Sequence, residues 1–529
     1  MCLARWSLFN RGVSIRNHAT TGLTRPVAAL PFATLRIALL FVSAVVLFAY
    51  YHLYHKRKDL PPGPTPLPVV GNTLTIAKHA PGYDAYLKWS QQYGSVYTYW
   101  LGEIPVVAVT DYKLMYEAFV KDADSYSGRF QMEEFLNDFR VIDTEGDLWK
   151  DQRRFTLHVL RDFGVGRNVM QERIIDELAA MIKCIDRDIK AGIVGHNISG
   201  HIDTCVGSII NNILFGYRFD EDHIDEFKEI KSLLNEHMRL ITSPTSAAMN
   251  AFPMKISKRL PFTGQLYKQV MANRDILYGF FKKQIENHKQ DIDFSTQETG
   301  DYTEAYLKAM KKNPENTFFT DLQLENLCFD LWIAGMETTS NTLSWGIVYL
   351  LNNIHVQVKI HAELDRLVGS DRLVTLADKN DLIYLQAFVN EVQRCANLVP
   401  QNLLHRTNRE VTLNGMRIPE GTCVIPQISC AMLDERVFDN PYEFRPERFI
   451  DEEGHLKKID ELVPFSMGKR QCLGESLARM ELFLITANLL NQYKFSTSGS
   501  VPPSLMKRCG ITVQALPYTC KIEKRKHEM

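Results

Sequence analysis

The segment around Cys472 constrains this chain more than any other. Residues 465–474 read FSMGKRQCLG, and a helix-like run follows from Glu475 to Leu489. Glycines permit tight turns and close backbone approach, and N–H groups at a helix start stabilise a negatively charged sulfur. This is the local chemistry that a metal-binding thiolate needs. The alternative, a buried structural cysteine in a glycine turn, is what a lone cysteine would favour.

Composition sets the size and excludes some partners. The chain has 529 residues, 45% of them hydrophobic, which is enough for one large domain or for two to three ordinary ones. Its 61 basic and 62 acidic side chains leave a net charge of −1, so no charge bias indicates a nucleic-acid partner. The ten cysteines are scattered and form no C-x-x-C pair, which fits a reducing compartment.

An uncharged run of 18 residues, Ile37–Tyr54, predicts a transmembrane anchor. Tyrosines cluster at one end, as interfacial aromatics do, and three basic residues follow at 56–58. The alternative is a buried core helix. The preceding extension, residues 1–36, carries five arginines and no acid, a composition that also suits a mitochondrial presequence. Charge alone therefore does not settle the orientation of the anchor.

Proline marks the next boundary. Residues 60–68 read LPPGPTPLP, a stiff, non-helical spacer. We therefore divide the chain into an Arg-rich extension (1–36), a transmembrane anchor (37–54), a Pro-rich hinge (55–70) and one large domain (71–529).

Helix-period patterns dominate this large domain. They predict helices at 111–121, 146–161, 171–190, 222–240, 264–289, 321–352, 354–367, 380–397 and 474–492, and strands at 96–101, 104–109, 410–413 and 422–425. The polar segment 286–303 predicts an exposed loop. The fold class is mainly α with a small β portion.

The predicted helix 321–352 contains a local conflict. Glycine and adjacent threonines, poor mid-helix residues, interrupt a strongly apolar run in the hexapeptide AGMETT at 334–339. Such conflicts often mark function: Gly335 would let a flat group approach, Thr338 can bond a backbone carbonyl or hold water, and Glu337 can feed protons to that water. The alternative is a merely polar helix face. Asp330, two turns earlier, is either a structural carboxylate or a pocket residue.

The cysteine segment resembles the haem-binding loop of cytochromes P-450, F-x-x-G-x-R-x-C-x-G. The matching residues are Phe465, Gly468, Arg470, Cys472 and Gly474. The resemblance implies a P-450 fold with haem b as the cofactor and Cys472 as the iron ligand, a ligation that favours O–O cleavage.

The helix 321–352 resembles the oxygen-activation helix of the same family. The resemblance implies that Thr338 and Glu337 are catalytic and manage protons, and that Ala334 and Gly335 lie against the haem. We expect Ala334 and Thr338, one turn apart, to line an apolar pocket.

Two further groups of residues match the family. A Glu–Arg–Arg cluster of structural residues is implied at Glu391, Arg394 and Arg448, where arginine's planar fork suits a bidentate lock. The haem propionates are implied to bind Trp149, Arg153, Arg129, His405 and Arg470. Alone, Arg129 and His405 would as readily be a surface base and a satisfied core histidine.

Within the family, the segments 390–400 and 464–484 look like animal microsomal members, especially invertebrate or nematode ones, that oxidise drugs and lipids. The chain is therefore expected to be a monooxygenase that inserts one oxygen atom from O₂ into a xenobiotic, fatty acid or steroid-like molecule. The alternatives are a haem-thiolate isomerase or peroxidase that needs no reductase, and a non-catalytic haem sensor. An acid–alcohol pair argues against both.

The resemblance also implies partners and a location. Electrons are expected from NADPH through a flavoprotein reductase, with cytochrome b5 as a second donor. Candidate docking charges are Lys150, Arg154, Lys457, Lys458 and Lys469, although each also fits a merely solvated basic face. The P-P-G-P hinge after an anchor favours the endoplasmic reticulum membrane, with a cytosolic catalytic domain, over the mitochondrial alternative.

Overall fold

The computed structural model describes residues 29–130, 142, 144–164, 168–249, 254–296, 298–369 and 372–525. This described part is mainly helical. In chain order its α-helices are α1 (Ala29–Leu53), α2 (Thr73–Lys78), α3 (Tyr83–Tyr93), α4 (Tyr112–Tyr116), α5 (Gly146–Asp162), α6 (Asn168–Lys190), α7 (Ile198–Phe215), α8 (Ile224–Ile241), α9 (Pro244–Met249), α10 (Met254–Ser257), α11 (Pro261–Asp291), α12 (Tyr302–Lys312), α13 (Asp321–Asn352), α14 (Ile354–Leu367), α15 (Ile383–Ala396), α16 (Ile428–Ala431) and α17 (Glu475–Gln492). A π-helical turn at Glu117–Lys121 extends α4, and 3-10 turns lie at His55–Arg57, Leu376–Asp378, Pro446–Phe449 and Gly468–Arg470.

The β portion is small, as predicted. Its strands are β1 (Val96–Leu101), β2 (Ile104–Val109), β3 (Gly128–Arg129), β4 (His405–Arg406), β5 (Val411–Leu413), β6 (Met416–Ile418), β7 (Cys423–Pro426), β8 (Tyr493–Thr497), β9 (Lys507–Arg508), β10 (Gln514–Ala515) and β11 (Cys520–Lys524). A five-stranded sheet has the order β1-β2-β7-β4-β3. In it β2 and β7 are parallel, and the other pairs are antiparallel.

The chain divides into two units between Lys56 and Arg57, and the structure describes residues 29–56 of the N-terminal unit. Its helix α1 exposes large apolar side chains such as Leu40, Phe41 and Leu47. The segment Thr34–Arg57 is long and apolar enough to cross a membrane. The helix begins at Ala29, earlier than the predicted start at residue 37. Residues 1–28 of the predicted Arg-rich extension lie outside the described residues.

The predicted hinge is fastened to the large unit. Residues 61–66 form neither helix nor strand, and Arg57 donates to the carbonyl of Gly63 at 2.9 Å and to the hydroxyl of Thr65 at 3.3 Å. A Cβ at Gly63 would lie 1.8 Å from the carbonyl oxygen of Thr98 on β1. Only glycine lets the hinge approach the sheet this closely.

Helix α13 forms the core of the large unit. Its 32 residues begin at Asp321, and the hydroxyl of the preceding Thr320 accepts the N–H of Gln323 and caps the helix. Trp332 and Trp345 are fully buried on it, and it packs against α7, α11, α15 and α17. A helix that is apolar nearly all round is buried on nearly all sides.

All nine predicted helices and all four predicted strands are found. The predicted bounds of α13, α14, β1 and β2 match those observed, and the ends of the others are shifted. Helices α3, α7 and α12 and the short helices α2, α9, α10 and α16 were not predicted. The glycines of α7, at positions 200 and 207, weaken its helical signal. The predicted loop 286–303 was partly wrong, because α11 continues to Asp291 and α12 begins after Asp301, whose carboxylate caps it through the N–H of Glu304.

Candidate functional site

The Cys472 segment is a tightly packed turn that leads into α17. Gly468 has φ +76°, and a Cβ there would lie 1.8 Å from the carbonyl oxygen of Phe119. The N–H of Cys472 donates to the carbonyl of Phe465 at 3.0 Å and closes the loop. Gly474 is the N-cap of α17, and a Cβ there would meet no atom within 4 Å. The loop therefore needs glycine at 468 for both its conformation and its packing.

The sulfur of Cys472 lies in an exposed residue at the start of this helix. The protein packed around the loop raises the pKa of the thiol, whereas the N–H of Gly474 and the positive charge of Arg153 lower it. Arg153, on α5, donates to the carbonyl of Gln471 at 2.8 Å. Burial is the larger effect, so the pKa of the thiol lies above its ordinary value. The helix N–H and the guanidinium beside the sulfur are nevertheless the groups that would stabilise a ligating thiolate.

A basic cluster lies beside the loop. The guanidinium carbon of Arg470 is 3.7 Å from the ring centre of Trp149, a cation–π contact. Arg470 also donates to the carbonyls of Ser127 at 2.9 Å and Thr144 at 2.6 Å. Both Arg470 and Trp149 are buried. The indole of α5 therefore fixes the plane of the arginine that lies two residues before Cys472.

The other two predicted propionate ligands lie side by side in the sheet. Arg129 of β3 is the direct antiparallel partner of His405 of β4, and both are buried. Burial and the positive charge of Arg129 hold the pKa of His405 well below its ordinary value, with a further contribution from Arg470. The neutral imidazole donates through Nδ1 to the carbonyl of Tyr126 at 2.8 Å.

This donor set fits haem. Haem needs one ligand for iron and hydrogen-bond donors for two propionate carboxylates. The structure offers an accessible cysteine sulfur for the first, and two buried guanidiniums and an indole for the second. His405 would join these donors only as the imidazolium, because the one N–H of its neutral ring is already given to Tyr126. Buried cations are stabilised by anions, so a dianionic group suits this cluster.

The accessible face of α13 is the one predicted to line a pocket. Ala334 is exposed and Thr338 half-exposed on a helix that is otherwise largely buried. The hydroxyl of Thr338 donates to the carbonyl of Ala334 at 2.7 Å. Gly335 also approaches α7 closely: a Cβ there would lie 2.7 Å from Cδ1 of Ile210. Its small size serves the packing of α7 against α13.

Glu337 is buried and fully engaged. Its Oε2 accepts from Nζ of Lys231 on α8 at 2.9 Å, and its Oε1 accepts from Asn341 at 3.0 Å and Gln514 at 2.6 Å. Burial would raise the pKa of Glu337, but the charge and hydrogen bonds of these partners outweigh it and leave the pKa below its ordinary value. Glu337 is therefore ionised at neutral pH.

Lys231 joins two carboxylates, because its Nζ also lies 3.5 Å from Oδ1 of Asp203 on α7. The exposed fraction of the side chain is 7% for Glu337, 15% for Lys231 and 27% for Asp203. Sequence reasoning missed Lys231 and Asp203. No local pattern distinguishes them, since they precede Glu337 by more than 100 residues and meet it only through tertiary packing.

The structure brings the Glu–Arg–Arg cluster together. Glu391 and Arg394 are fully buried and form a bidentate pair at 2.7 and 2.8 Å. Arg448 donates through Nε to the same carboxylate at 3.0 Å. Arg394 also donates to the carbonyls of Met432 and Pro441. The cluster therefore ties α15 to the segment that leads toward the Cys472 loop.

Asp330 has a structural contact. It is buried on α13, and its Oδ2 accepts the N–H of Ile142 at 3.1 Å. This contact holds α13 to the chain just before α5. Of the segments that we expect to carry substrate specificity, 125–140, 235–255 and 400–405, residues 131–140 and 250–253 lie outside the described part of the chain.

A groove of about 1070 Å³ opens beside α5 and the start of α17. Basic side chains dominate its polar rim: Lys150, Arg153, Arg154, His158, Arg161 and Lys469. Phe155, Leu157 and Leu473 contribute apolar surface. Of the predicted docking charges, Lys150, Arg154 and Lys469 line the groove, whereas Lys457 and Lys458 do not.

Comparison with known proteins places this site in a family context. The family model for Cytochrome P450 matches residues 61–522. Cytochrome P450 2M1 of Oncorhynchus mykiss is 35% identical over 475 residues, covering 88% of this chain and 92% of that protein. Cytochrome P450 2A9 of Mesocricetus auratus is 34% identical (87% and 92% covered), and Cytochrome P450 2A13 of Homo sapiens is 33% identical (87% and 92% covered). Every site residue described above lies within the matched range.

Proposed function

The chain belongs to the cytochrome P450 family and is a monooxygenase, and from this premise we propose that it hydroxylates hydrophobic small molecules: xenobiotics, fatty acids or steroid-like compounds. A C–H bond of the substrate becomes C–OH, the second oxygen atom of O₂ leaves as water, and two electrons and two protons are consumed. The observation that carries the proposal is the accessible sulfur of Cys472 beside a buried basic cluster.

Haem, when bound, supplies the oxygen-activating chemistry, and a thiolate ligand favours O–O cleavage. The residues that would hold haem b are Cys472 at the iron and, at the propionates, Trp149, Arg153, Arg129, His405 and Arg470. The cation–π contact between Arg470 and Trp149 and the bond from His405 to a main-chain carbonyl orient these donors in advance. These donors therefore need to rearrange little when haem binds.

The second role of the chain's own residues is to deliver protons. The hydroxyl of Thr338 lies on the accessible face of α13 and can exchange its bond to the carbonyl of Ala334 for one to water or oxygen. Glu337 faces Lys231 in this conformation. Because Glu337 is ionised, it can relay a proton only after it accepts one, and one of its three partners, Lys231, Asn341 or Gln514, must then release a carboxylate oxygen.

The basic groove fits an acidic electron donor, which we propose to be an NADPH-dependent flavoprotein reductase, with cytochrome b5 as a second donor. The groove borders Leu473 and Gly474, next to the ligand Cys472, and charge complementarity speeds association of redox partners. Most of these basic residues have a local acid, as in Lys150–Asp147 and Arg154–Asp151. These exposed pairs are weak and can exchange for a partner's carboxylates.

Charge reversal tests this docking face. Lys150→Glu and Arg154→Glu should each raise the KM for reductase several-fold, most at low ionic strength, while leaving the reduced carbon-monoxide spectrum unchanged. Lys458→Glu is the matched control, because Lys458 is exposed but lies outside the groove. An equal effect of all three substitutions would show that net charge, and not the groove, governs association.

We also propose that α1 anchors the protein in the endoplasmic reticulum membrane, with the large unit in the cytosol. The apolar length of Thr34–Arg57 and the proline-rich hinge that follows it support this placement. Fractionation of cells that produce the tagged chain, followed by protease protection, distinguishes this placement from a mitochondrial one. Protection of the large unit from protease would contradict a cytosolic orientation.

The central test of activity is a reduced carbon-monoxide spectrum followed by turnover with NADPH and reductase. A thiolate-type spectrum together with hydroxylated product supports the monooxygenase reaction with this electron source. A normal spectrum without NADPH-driven product would contradict the proposed electron source and would favour the reductase-independent isomerase or peroxidase. Screening lipids and xenobiotics by binding-induced spectral shift then identifies the substrate class.

A further inference from the structure

Glu481 is a buried carboxyl group with one hydrogen-bond partner. It lies on α17 with a relative exposure of 1%. Its Oε2 is 3.1 Å from the hydroxyl of Thr339 on α13. Its Oε1 is buried, and no described residue forms a hydrogen bond with it. Thr339 directly follows Thr338, and α17 directly follows the Cys472 loop.

The surroundings of Glu481 do not stabilise a negative charge. In the described part of the chain no Lys, Arg or His nitrogen forms an ion pair with it. The titratable groups that face it are Cys205 of α7 and, behind that thiol, Glu177 of α6 with its partner Arg218 at 3.0 Å. Burial, with a smaller contribution from Glu177 and Glu481, raises the pKa of Cys205, so this thiol stays neutral.

An ionised carboxylate buried in this way would cost several kcal/mol. A neutral carboxylic acid avoids that cost and still bonds the hydroxyl of Thr339. In agreement with this, burial raises the pKa of Glu481 to about 8, a shift that the hydrogen bond from Thr339 only partly offsets.

We propose that Glu481 is a positioning residue: as a neutral acid it fastens α17, which begins beside Cys472, to α13 at the residue after Thr338. The contact joins the helix that presents the iron ligand to the helix that presents the catalytic hydroxyl. The spacing of these two groups then depends on this bond, and loss of the proton at alkaline pH leaves a buried charge that the bond only partly stabilises.

The sign of the pH dependence follows from the raised pKa. The unfolded chain loses this proton near pH 4.5, whereas the folded chain keeps it to about pH 8. Glu481 therefore makes the fold progressively less stable as pH rises between these values, and its effect is constant above pH 8. Glutamine has the shape of the neutral acid and never ionises, so Glu481→Gln removes this part of the pH dependence.

The test uses the full-length holoprotein. Glu481→Gln should raise the unfolding midpoint by a few degrees at pH 8 and by much less at pH 5, and the infrared difference spectrum at pH 7 should lose one protonated-carboxyl band. Glu229→Gln is the matched control, because Glu229 is exposed on α8 and should change neither measurement. Two results would show that Glu481 is not protonated in the fold. The unfolding midpoint of Glu481→Gln would depend on pH as in the wild type, or its infrared spectrum would keep every protonated-carboxyl band.

Positioning is tested by a spectroscopic signature. Glu481→Leu and Thr339→Val each remove the link, and each should shift part of the reduced carbon-monoxide spectrum from the thiolate form to an inactive form. Glu481→Gln should keep the wild-type spectrum. If Glu481→Leu fails to fold, Thr339→Val carries the test, since it keeps the shape of the side chain. A wild-type spectrum in Thr339→Val would refute positioning, and none of these readouts depends on reductase, substrate or turnover.

Discussion

Replacing Lys231 with methionine tests the electrostatics beside Thr338, the residue that we propose to be catalytic. The substitution keeps the length of the side chain and removes the charge that lies 2.9 Å from Oε2 of Glu337 and 3.5 Å from Oδ1 of Asp203. Breaking a buried pair by removing one partner costs about 3–5 kcal/mol. Because Asp203 keeps access to solvent and Glu337 keeps two amide donors, we expect about 3 kcal/mol at pH 7, the lower end of that range.

The loss should depend on pH, with a sign that the structure determines. In the wild type, Lys231 keeps the pKa of Glu337 below its unfolded value of 4.5, so this carboxylate stabilises the fold above that pH and ceases to do so as pH falls. Without Lys231, burial raises the pKa of Glu337, as it already raises that of Asp203. Both groups can then take up protons in mild acid, so the difference between variant and wild type should shrink from pH 7 toward pH 5.

Urea unfolding of the holoprotein at pH 5, 6, 7 and 8 measures this difference. Lys228→Met is the matched control: Lys228 lies on the same helix, is exposed, and pairs with the exposed Asp225, so its loss should cost no more than about 1 kcal/mol at any pH. The double variant with Glu337→Gln should recover part of the stability lost in Lys231→Met, because no stranded charge remains at 337. The proposed charge interaction would be refuted if the loss of unfolding free energy in Lys231→Met did not change with pH. It would also be refuted if the double variant were no more stable than Lys231→Met.

Three further outcomes are expected at the site. Cys472→Ala should abolish the thiolate-type reduced carbon-monoxide spectrum while Cys509→Ala, at another exposed cysteine, keeps it; a thiolate spectrum in Cys472→Ala would disprove the ligand assignment. Thr338→Ala should keep the spectrum but divert oxygen into peroxide. The ratio of peroxide to hydroxylated product, measured for a given consumption of NADPH, should therefore rise several-fold. An unchanged ratio would show that the hydroxyl of Thr338 takes no part in proton transfer. Arg394→Met should destabilise the fold by about 3–5 kcal/mol, because it strands the fully buried carboxylate of Glu391, and should lower haem content per mole of protein; full haem content with wild-type stability would show that the cluster is dispensable.

Local spacing made the chemistry of the site readable from the sequence. Cys472 and Gly468 fall within one short loop, and Ala334 and Thr338 are one helical turn apart. In such cases the chain itself fixes which side chains share a turn or a face. The helices that carry them have strong apolar periodicity, so their positions were also predictable.

Contacts between distant segments were not readable in this way. The cross-strand pairing of Arg129 with His405 joins residues 276 positions apart by their numbering, and only the family resemblance linked them. Helix α7 escaped prediction because its glycines lower its helical propensity. Yet α7 supplies Ile210, which explains Gly335, and Asp203, which completes the charge cluster around Lys231.

The protonation state of a buried carboxyl group also depends on contacts between distant segments, so it could not be predicted from the local sequence. Glu337 and Glu481 are both glutamates on buried helices, and nothing in their local sequence separates them. Glu337 meets a lysine and two amides, which keep it ionised, whereas Glu481 meets one hydroxyl, and burial keeps it neutral. A sequence motif therefore identifies the residues that can exchange protons, but the tertiary partners decide which of them holds a proton at neutral pH. Since those partners come from α8, α13 and β10, shifts in how these elements pack would change proton supply at the site without any change in the motif itself.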